Sequence, residues 1–275
     1  MTKITSTKLT KFVSHLREQN LANKTIKGYS ESLREFGNNF SIVNPTNIND
    51  YFRNKAEKVS VNTLINYKTA LKSFTNWQDI AVDWKLINKL IPKVQSCFFP
   101  TLDFKELEKL RDTKASVRNN TEQRNNLLLE FLFYTGLRLN EIANLKHSDY
   151  QNQQLKVLGK GNKIRYVFVP PHLVRYINTS NNYIFTGNKD KKLSLRSIQE
   201  IVRNKVKNSN LNKTISVHSF RRFFATNLYK LGGKLETIQK QLGHSSLDTT
   251  MKYIHNDYDT LYQDYMKICS SKNQI

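Results

Sequence analysis

Cysteine is nearly absent from this chain of 275 residues: Cys97 and Cys269 are the only two, too few and too far apart for a zinc cluster or a disulfide framework. A reducing, cytoplasmic compartment is the expectation that follows. No apolar run approaches the roughly 18 residues of a membrane span, and the opening MTKITSTKLTKF has no signal-peptide core. The phosphate-cradling pattern G-x-x-x-x-G-K-[ST] does not occur, nor does a cluster of carboxylates suited to two magnesium ions. Acidic residues are scarce too. Asp and Glu total 22 against 44 Lys and Arg, a formal charge of +22 with a pI near 9.9. Soluble small domains usually carry a net charge of magnitude about 2–8, so this excess points to a polyanionic partner, nucleic acid first. The first 95 residues hold +8 and the rest +14, a spread that suits a protein encircling its ligand.

What is present begins with helical periodicity. Leu9, Phe12, Val13 and Leu16 follow i, i+3, i+4, i+7 behind Ser6 or Thr7 as a cap. Ile26, Tyr29, Leu33 and Phe36 form a second stripe, and Ile48, Tyr51 and Phe52 a short third introduced by Pro45 and Asn47. Val61, Leu64, Ile65, Leu71, Phe74 and Trp77 make a fourth from Ser60. The expectation is a bundle of four helices over 1–91, with a linker at 92–101 bracketed by Pro92 and Pro100. From Phe104 helical patterns resume, with Leu127–Tyr134 apolar enough to require burial. Gly136 breaks that helix, and Arg138 opens the next. Gln154–Leu158 and Ile164–Val169 alternate as two strands around a turn at Gly159–Asn162. Helices are expected at about 194–207, 218–231 and 234–242, the middle one ended by Gly232-Gly233.

Chemistry concentrates in the second half. TGLRLNE at 135–141 supplies Arg138. VHSFRRFFATNL at 217–228 supplies His218 and Arg221, three apart and so on one helix face. LGHSSLDTTMKYIH at 242–255 supplies His244 and Tyr253, with Ser245–Asp248 reading as a turn between them. Two guanidiniums can hold a phosphate, two imidazoles can handle protons, and a phenol can attack.

In order and spacing these residues resemble the tyrosine recombinase (phage integrase) family, whose signatures are T-G-x-R-x-x-E, a hairpin lysine, H-x-x-R, L-G-H and a nucleophilic tyrosine. GKGNKIRYVFVP at 159–170 is similar to the hairpin, with Lys160 in the lysine's position and Lys163 the alternative. Arg222 departs from the second histidine many members carry there. The resemblance is specific over 135–255 and architectural before that. It implies a mainly α fold with a small β-sheet: a helical, SAM-like core-binding domain at 1–91 and an α+β catalytic domain at 102–275, in the simple Xer-like or Cre-like arrangement without an arm-binding domain.

The implied activity is site-specific recombination. Tyr253 would attack a DNA phosphodiester, Arg138 and Arg221 would donate to its non-bridging oxygens, and Lys160 would protonate the leaving 5′-oxygen. His218 would serve as base or hydrogen-bond partner of the phenol, His244 as a further donor and packing support, and Glu141 as the group that orients Arg138. No cofactor and no metal is implied, because the phosphotyrosine bond conserves the energy for rejoining. The implied partners are double-stranded DNA with an inverted-repeat site, and a homotetramer on synapsed DNA that could include a second recombinase or an accessory protein. The expected location is cytoplasmic, on the nucleoid, with no membrane. Lys24, Lys27, Lys68 and Lys72 are candidate phosphate contacts. Leu261, Tyr262, Tyr265, Met266 and Cys269 form a stripe that would cap its own domain or dock on a neighbouring protomer. Two other readings stand beside this one: a type IB-like topoisomerase using similar groups, and an architectural DNA-binding protein without turnover. His15, His147, His172 and His255 read as structural or solvated.

Overall fold

The computed structural model describes residues 2–93, 102–113, 119–159, 163–178, 180, 182–187, 190–254 and 262, with residues 119 and 252–254 described in backbone only. Two compact units divide the chain, Met1–Ser96 and Cys97–Ile275. Most of the 92–101 stretch lies outside the described residues.

Among its described residues the first unit holds five α-helices, α1 (Ser6–Glu18), α2 (Asn23–Asn39), α3 (Pro45–Lys55), α4 (Val61–Trp77) and α5 (Trp84–Leu90), and a bridge between Thr2 and Val43. Side-chain caps fix four of the starts. Thr5, Asn44, Ser60 and Asp83 each accept from a backbone N–H in the first turn, and Pro45 occupies the first turn of α3, where a missing N–H costs nothing. The stripes read from sequence converge on one core, where Phe12, Leu16, Leu33, Phe36, Phe52, Leu64, Leu71 and Phe74 are fully buried. Each such side chain contributes about 1.5–3 kcal/mol relative to exposure. The expected four helices are joined by a fifth, α5, whose seven residues are too few to show a helical period; Ile87 is its one fully buried contribution.

The second unit packs helices around a small sheet: α6 (Phe104–Asp112), α7 (Asn119–Thr135), α8 (Leu139–Asn144), a 3-10 turn (His147–Asp149), β1 (Tyr150–Gln151), β2 (Gln154–Leu158), β3 (Ile164–Phe168), α9 (Pro171–Val174), α10 (Leu195–Asn208), α11 (Val217–Lys230), α12 (Leu235–Leu242) and α13 (Leu247–Ile254). Within α7, Leu128, Leu129, Phe131, Leu132 and Phe133 are buried, and Phe133 stacks on Phe223 of α11 at 3.9 Å between ring centroids. Among the described residues, no helix is long and apolar enough to cross a membrane.

The strands form an antiparallel meander in the order β1-β2-β3, with Gln154 opposite Phe168 and Leu158 opposite Ile164. Leu155, Val157 and Val167 face the core, whereas Ile164, Tyr166 and Phe168 face out. The sheet has one strand more than the sequence pattern revealed. Asn152 and Gln153 both take positive φ, the backbone of a tight hairpin turn, but without the Asn-Gly pair that would announce it.

Gly136 sets the junction between α7 and α8. Its φ is +60°, and a Cβ there would lie 2.7 Å from a ring carbon of Phe224, so only glycine fits. The abrupt end of α7 places Arg138 at the N-cap of α8.

Candidate active site

Four segments of the second unit meet at Arg138: the α7–α8 junction, β3, the N-terminal half of α11, and the turn after α12. Glu141, in the first turn of α8, is the hub. Its carboxylate accepts from the Arg138 backbone N–H at 2.7 Å and from Arg138 Nη1 at 2.9 Å. Arg165 on β3 adds a bidentate contact, Nη1 and Nη2 at 2.7 and 2.8 Å from the two oxygens. Arg165 Nε also donates to the Gln241 carbonyl at 2.9 Å. The Glu141 side chain is only 3% exposed. Burial alone would raise its pKa, but the hydrogen bonds and charge of Arg165, followed by those from Arg138, bring it down to about 2. Arg165 had no place in the site drawn from sequence, and its contacts are more extensive than those of Arg138.

The two arginines of the motif are not equivalent. Arg138 keeps 34% of its side chain in solvent and donates to the Gly243 carbonyl at 3.2 Å. Arg221 is 1% exposed, with Nη1 on the Gly136 carbonyl at 2.8 Å and Nη2 on the Leu242 carbonyl. Gly136 follows α7 and Leu242 ends α12, so the buried cation sits where two helix C-termini place partial negative charge. Sequence spacing put Arg221 beside His218 correctly but could not distinguish an open guanidinium from a buried one.

His218 stands one turn before Arg221 on α11 and remains solvent-accessible. Partial desolvation, then the charges of Arg222, Arg221 and Arg138, depress its pKa, so the ring is neutral and able to accept a proton near pH 7. His244 is buried, and its pKa falls to about 4, first through desolvation and then through Arg221, Arg138 and Arg165. Its Nδ1 lies 2.8 Å from the Oγ1 of Thr250, a fully buried residue of α13. Helix α13 packs against α11 and α12 and starts at Leu247, so Leu247 and Asp248 are helical rather than part of the turn expected at 245–248. The backbone of Tyr253 lies in the last turn of α13, three residues past Thr250. The His244–Thr250 contact thus anchors the helix that carries Tyr253, and Thr250 is a second residue that motif reading passed over.

Lys160 lies outside the described residues, as do His255 and the stripe at 261–269 apart from an exposed Tyr262. Gly159, at the root of the hairpin turn, does border the cluster: a Cβ there would sit 3.5 Å from Arg165 Nη1 and 3.8 Å from a Glu141 oxygen. Lys163 is exposed, its carbonyl accepting from the Gly159 N–H at 2.8 Å. Among the described residues, no group of three or more His, Cys, Asp or Glu is placed to hold a metal ion. His15 packs against Phe12 and Trp77, His147 Nδ1 accepts from the Asn178 N–H, and His172 meets the Tyr134 ring.

In the first unit, Lys24 and Lys72 are exposed on α2 and α4. Lys27 lies 3.8 Å from Glu31, and Lys68 donates to Asn88 at 3.0 Å. Lys68 and Lys72 line one polar groove with His15, Gln19, Tyr29 and Asn76.

The electrostatics give a pH signature. Unfolded His244 would take up a proton near pH 6.5, whereas the folded ring resists until about pH 4. Across that window the unfolded state binds more protons, so stability falls as pH drops, by up to about 2–3 kcal/mol. Glu141, ionised in the fold down to about pH 2, adds a second loss as pH falls from about 4.5. Urea melts between pH 7 and 3 are expected to show both stages, and His244→Asn to reduce the upper slope. An unchanged slope in that variant would remove His244 from the account.

A buried carboxylate hub, an arginine at a helix start, a second arginine with a histidine one turn before it, and a glycine-histidine turn leading into the helix of Tyr253 thus lie together in the second unit. Residues 100–260 match the phage integrase family, and the chain belongs to it, as a tyrosine recombinase. It is 30% identical to tyrosine recombinase XerC of Pediococcus pentosaceus, over 91% of this chain and 93% of that one. Identity to XerC of Leptospira interrogans is 28%, over 94% and 91% respectively. Among solved structures, XerH site-specific recombinase bound to a palindromic difH substrate, in a post-cleavage complex, shares the fold with a TM-score of 0.74, at 23% identity and covering 95% of this chain and 84% of that one.

Proposed function

We propose that this protein is a site-specific DNA recombinase that cuts and rejoins duplex DNA through a 3′-phosphotyrosine at Tyr253. The observation that carries the reading is the convergence of Arg138, Arg221, His218 and His244 beside the helix bearing Tyr253. The phenol oxygen forms a bond to phosphorus while the bond from phosphorus to the 5′-oxygen breaks. The phenolic proton passes to neutral His218, and Lys160 gives a proton to the departing 5′-oxygen. Arg138, the accessible guanidinium, meets the non-bridging oxygens with a planar fork. Arg221 supplies positive charge from beneath and fixes the junction that presents Arg138. Attack of a 5′-hydroxyl from the partner strand on the phosphotyrosine reverses these transfers and reseals the DNA.

The partner in this proposal is duplex DNA with a short inverted-repeat site. The charge of +22 supports it, as does the difH complex of XerH. Lys24, Lys27, Lys68 and Lys72 contribute phosphate contacts that weaken with salt. Strand exchange proceeds stepwise in a tetramer, two tyrosines cutting while two wait, with the stripe at 261–269 docking on a neighbouring protomer. Deleting 258–275 is then expected to abolish recombination while single-site DNA binding persists; a truncated chain that still recombines would refute the docking.

Covalent-adduct mapping tests the whole reading. Cells expressing the wild type or Tyr253→Phe are lysed in denaturant, and protein-linked DNA ends are sequenced. Wild-type adducts focused on one or a few inverted repeats are the expected result. Dispersed adducts dependent on Tyr253 would indicate a topoisomerase. DNA retained in native capture, with no adducts from either protein, would indicate an architectural role.

A further inference from the structure

We infer that Arg165 is a positioning residue that keeps Arg138 presented to the phosphate by occupying the bidentate face of Glu141. The inference rests on the reading of Arg138 as a phosphate contact and deepens it. An ionised carboxylate has about four lone-pair sites, and all four contacts to Glu141 are accounted for: two from Arg165 Nη1 and Nη2, one from the Arg138 backbone and one from Arg138 Nη1. Arg138 therefore meets the carboxylate through one guanidinium nitrogen, Nη1, while its Nη2 donates to the Gly243 carbonyl at 3.2 Å. The rest of its fork is not drawn into the carboxylate, which fits its 34% exposure against 10% for Arg165.

Without Arg165, a buried carboxylate would lose half of its hydrogen bonds while remaining ionised, a costly state that demands another cation. Arg138 is already in contact and has a planar fork that suits bidentate capture. It would rotate inward onto Glu141 and away from the DNA. Arg165 thus acts by competition: it holds the strong site so that Arg138 takes the weak one.

Two further contacts show that Arg165 is built into place. Its Nε reaches the Gln241 carbonyl, and Gln241 Oε1 in turn accepts from the Phe168 backbone N–H at 3.3 Å. Gly243 accommodates the side chain closely, since a Cβ there would lie 2.6 Å from Arg165 Cδ. The glycine of the L-G-H turn therefore serves twice, taking the left-handed φ of +63° that ends α12 and leaving room for Arg165.

The test compares wild type, Arg165→Met, Glu141→Gln and the double variant Glu141→Gln/Arg165→Met. Without DNA, Arg138 is labelled with an arginine-selective dicarbonyl and followed by peptide mass spectrometry. Labelling is expected to slow several-fold, roughly 3- to 10-fold, in Arg165→Met and to recover in the double variant, whose neutral amide no longer draws Arg138 inward. With DNA, single-turnover Tyr253 adduct formation on a nicked duplex of the mapped site should fall about 100-fold in Arg165→Met. The double variant should be less impaired than that single variant. Labelling that stays constant or rises in Arg165→Met, or a double variant as slow as or slower than Arg165→Met, overturns the proposal. If Arg165→Met does not fold, the same cycle is run with Arg165→Lys, which keeps the charge but lacks the planar fork that spans both Glu141 oxygens, and the same two criteria apply. A wild type that forms no Tyr253 adduct fails the underlying reading instead, while the labelling series still judges the role of Arg165.

Discussion

Tyr253→Phe is expected to bind DNA within about twofold of the wild type and to form no covalent adduct, a loss of about 10⁴-fold or more in strand cleavage. The substitution deletes one oxygen and leaves the ring, the backbone of α13 and the net charge as they were. The magnitude follows from the absence of a substitute. Water can attack a phosphodiester only without conserving its energy, so residual hydrolysis would yield nicks and never rejoined strands. A phenol of pKa about 10 is less than 1% ionised at pH 7, so the reaction depends on the groups around it. His218 is neutral there because desolvation, and then the charges of Arg222, Arg221 and Arg138, disfavour its protonation. Gel analysis of denatured protein–DNA mixtures reads the result directly. Adducts persisting in Tyr253→Phe would assign the nucleophile to another of the 13 tyrosines, which peptide mapping of the linked fragment would identify.

Arg221→Ala should damage folding and catalysis together. Removing the guanidinium strands the carbonyls of Gly136 and Leu242 in the interior, at about 1–3 kcal/mol each, and leaves a cavity at a residue only 1% exposed. A stability loss of about 3–5 kcal/mol is expected, read as a lower urea midpoint. Cleavage should fall by about 1000-fold, since both the buried charge and the junction carrying Arg138 are lost. Arg221→Lys separates the two effects. A lysine retains charge but reaches one carbonyl, so stability should recover partly while cleavage stays about 100-fold down. A wild-type urea midpoint for Arg221→Ala would contradict the account of the buried cation.

How much of this was legible beforehand depends on whether the signal was local. The apolar stripes of α1 to α4 announced their helices because the 3.6-residue period acts within a few positions. Ser60 caps α4 as expected, but the α1 cap is Thr5 rather than Ser6 or Thr7, and the α3 cap is Asn44, whose side chain accepts from the Asn47 N–H. Gly136 and the start of α8 were legible through the same locality. Residues whose role is set by distant partners were not. Arg165 meets Glu141, 24 positions away, and Gln241, 76 away. One trace of it existed: Arg165 shares strand parity with buried Val167 while Ile164 and Tyr166 face out, and a charge at an inward position of a strand requires a partner. Thr250 left a fainter trace, a small hydroxyl in a helix one turn before the tyrosine. The depth of Arg221 left none, because H-x-x-R spacing fixes a helix face but not what covers it.

The acceptors around Arg221 are main-chain atoms, and that has a consequence for how the site tolerates change. The Gly136 and Leu242 carbonyls belong to every amino acid, so replacing the side chain of Leu242 leaves its acceptor in position. Adding or removing a residue does not. An insertion in the last turn of α7 or α12 rotates the helix end by about 100° and swings its carbonyl away from the guanidinium. The arginine therefore gauges chain length at two helix ends, and apart from Gly136 and Gly243, which must stay glycine, variation at these joints should take the form of substitutions, with insertions and deletions displaced to the loops beyond.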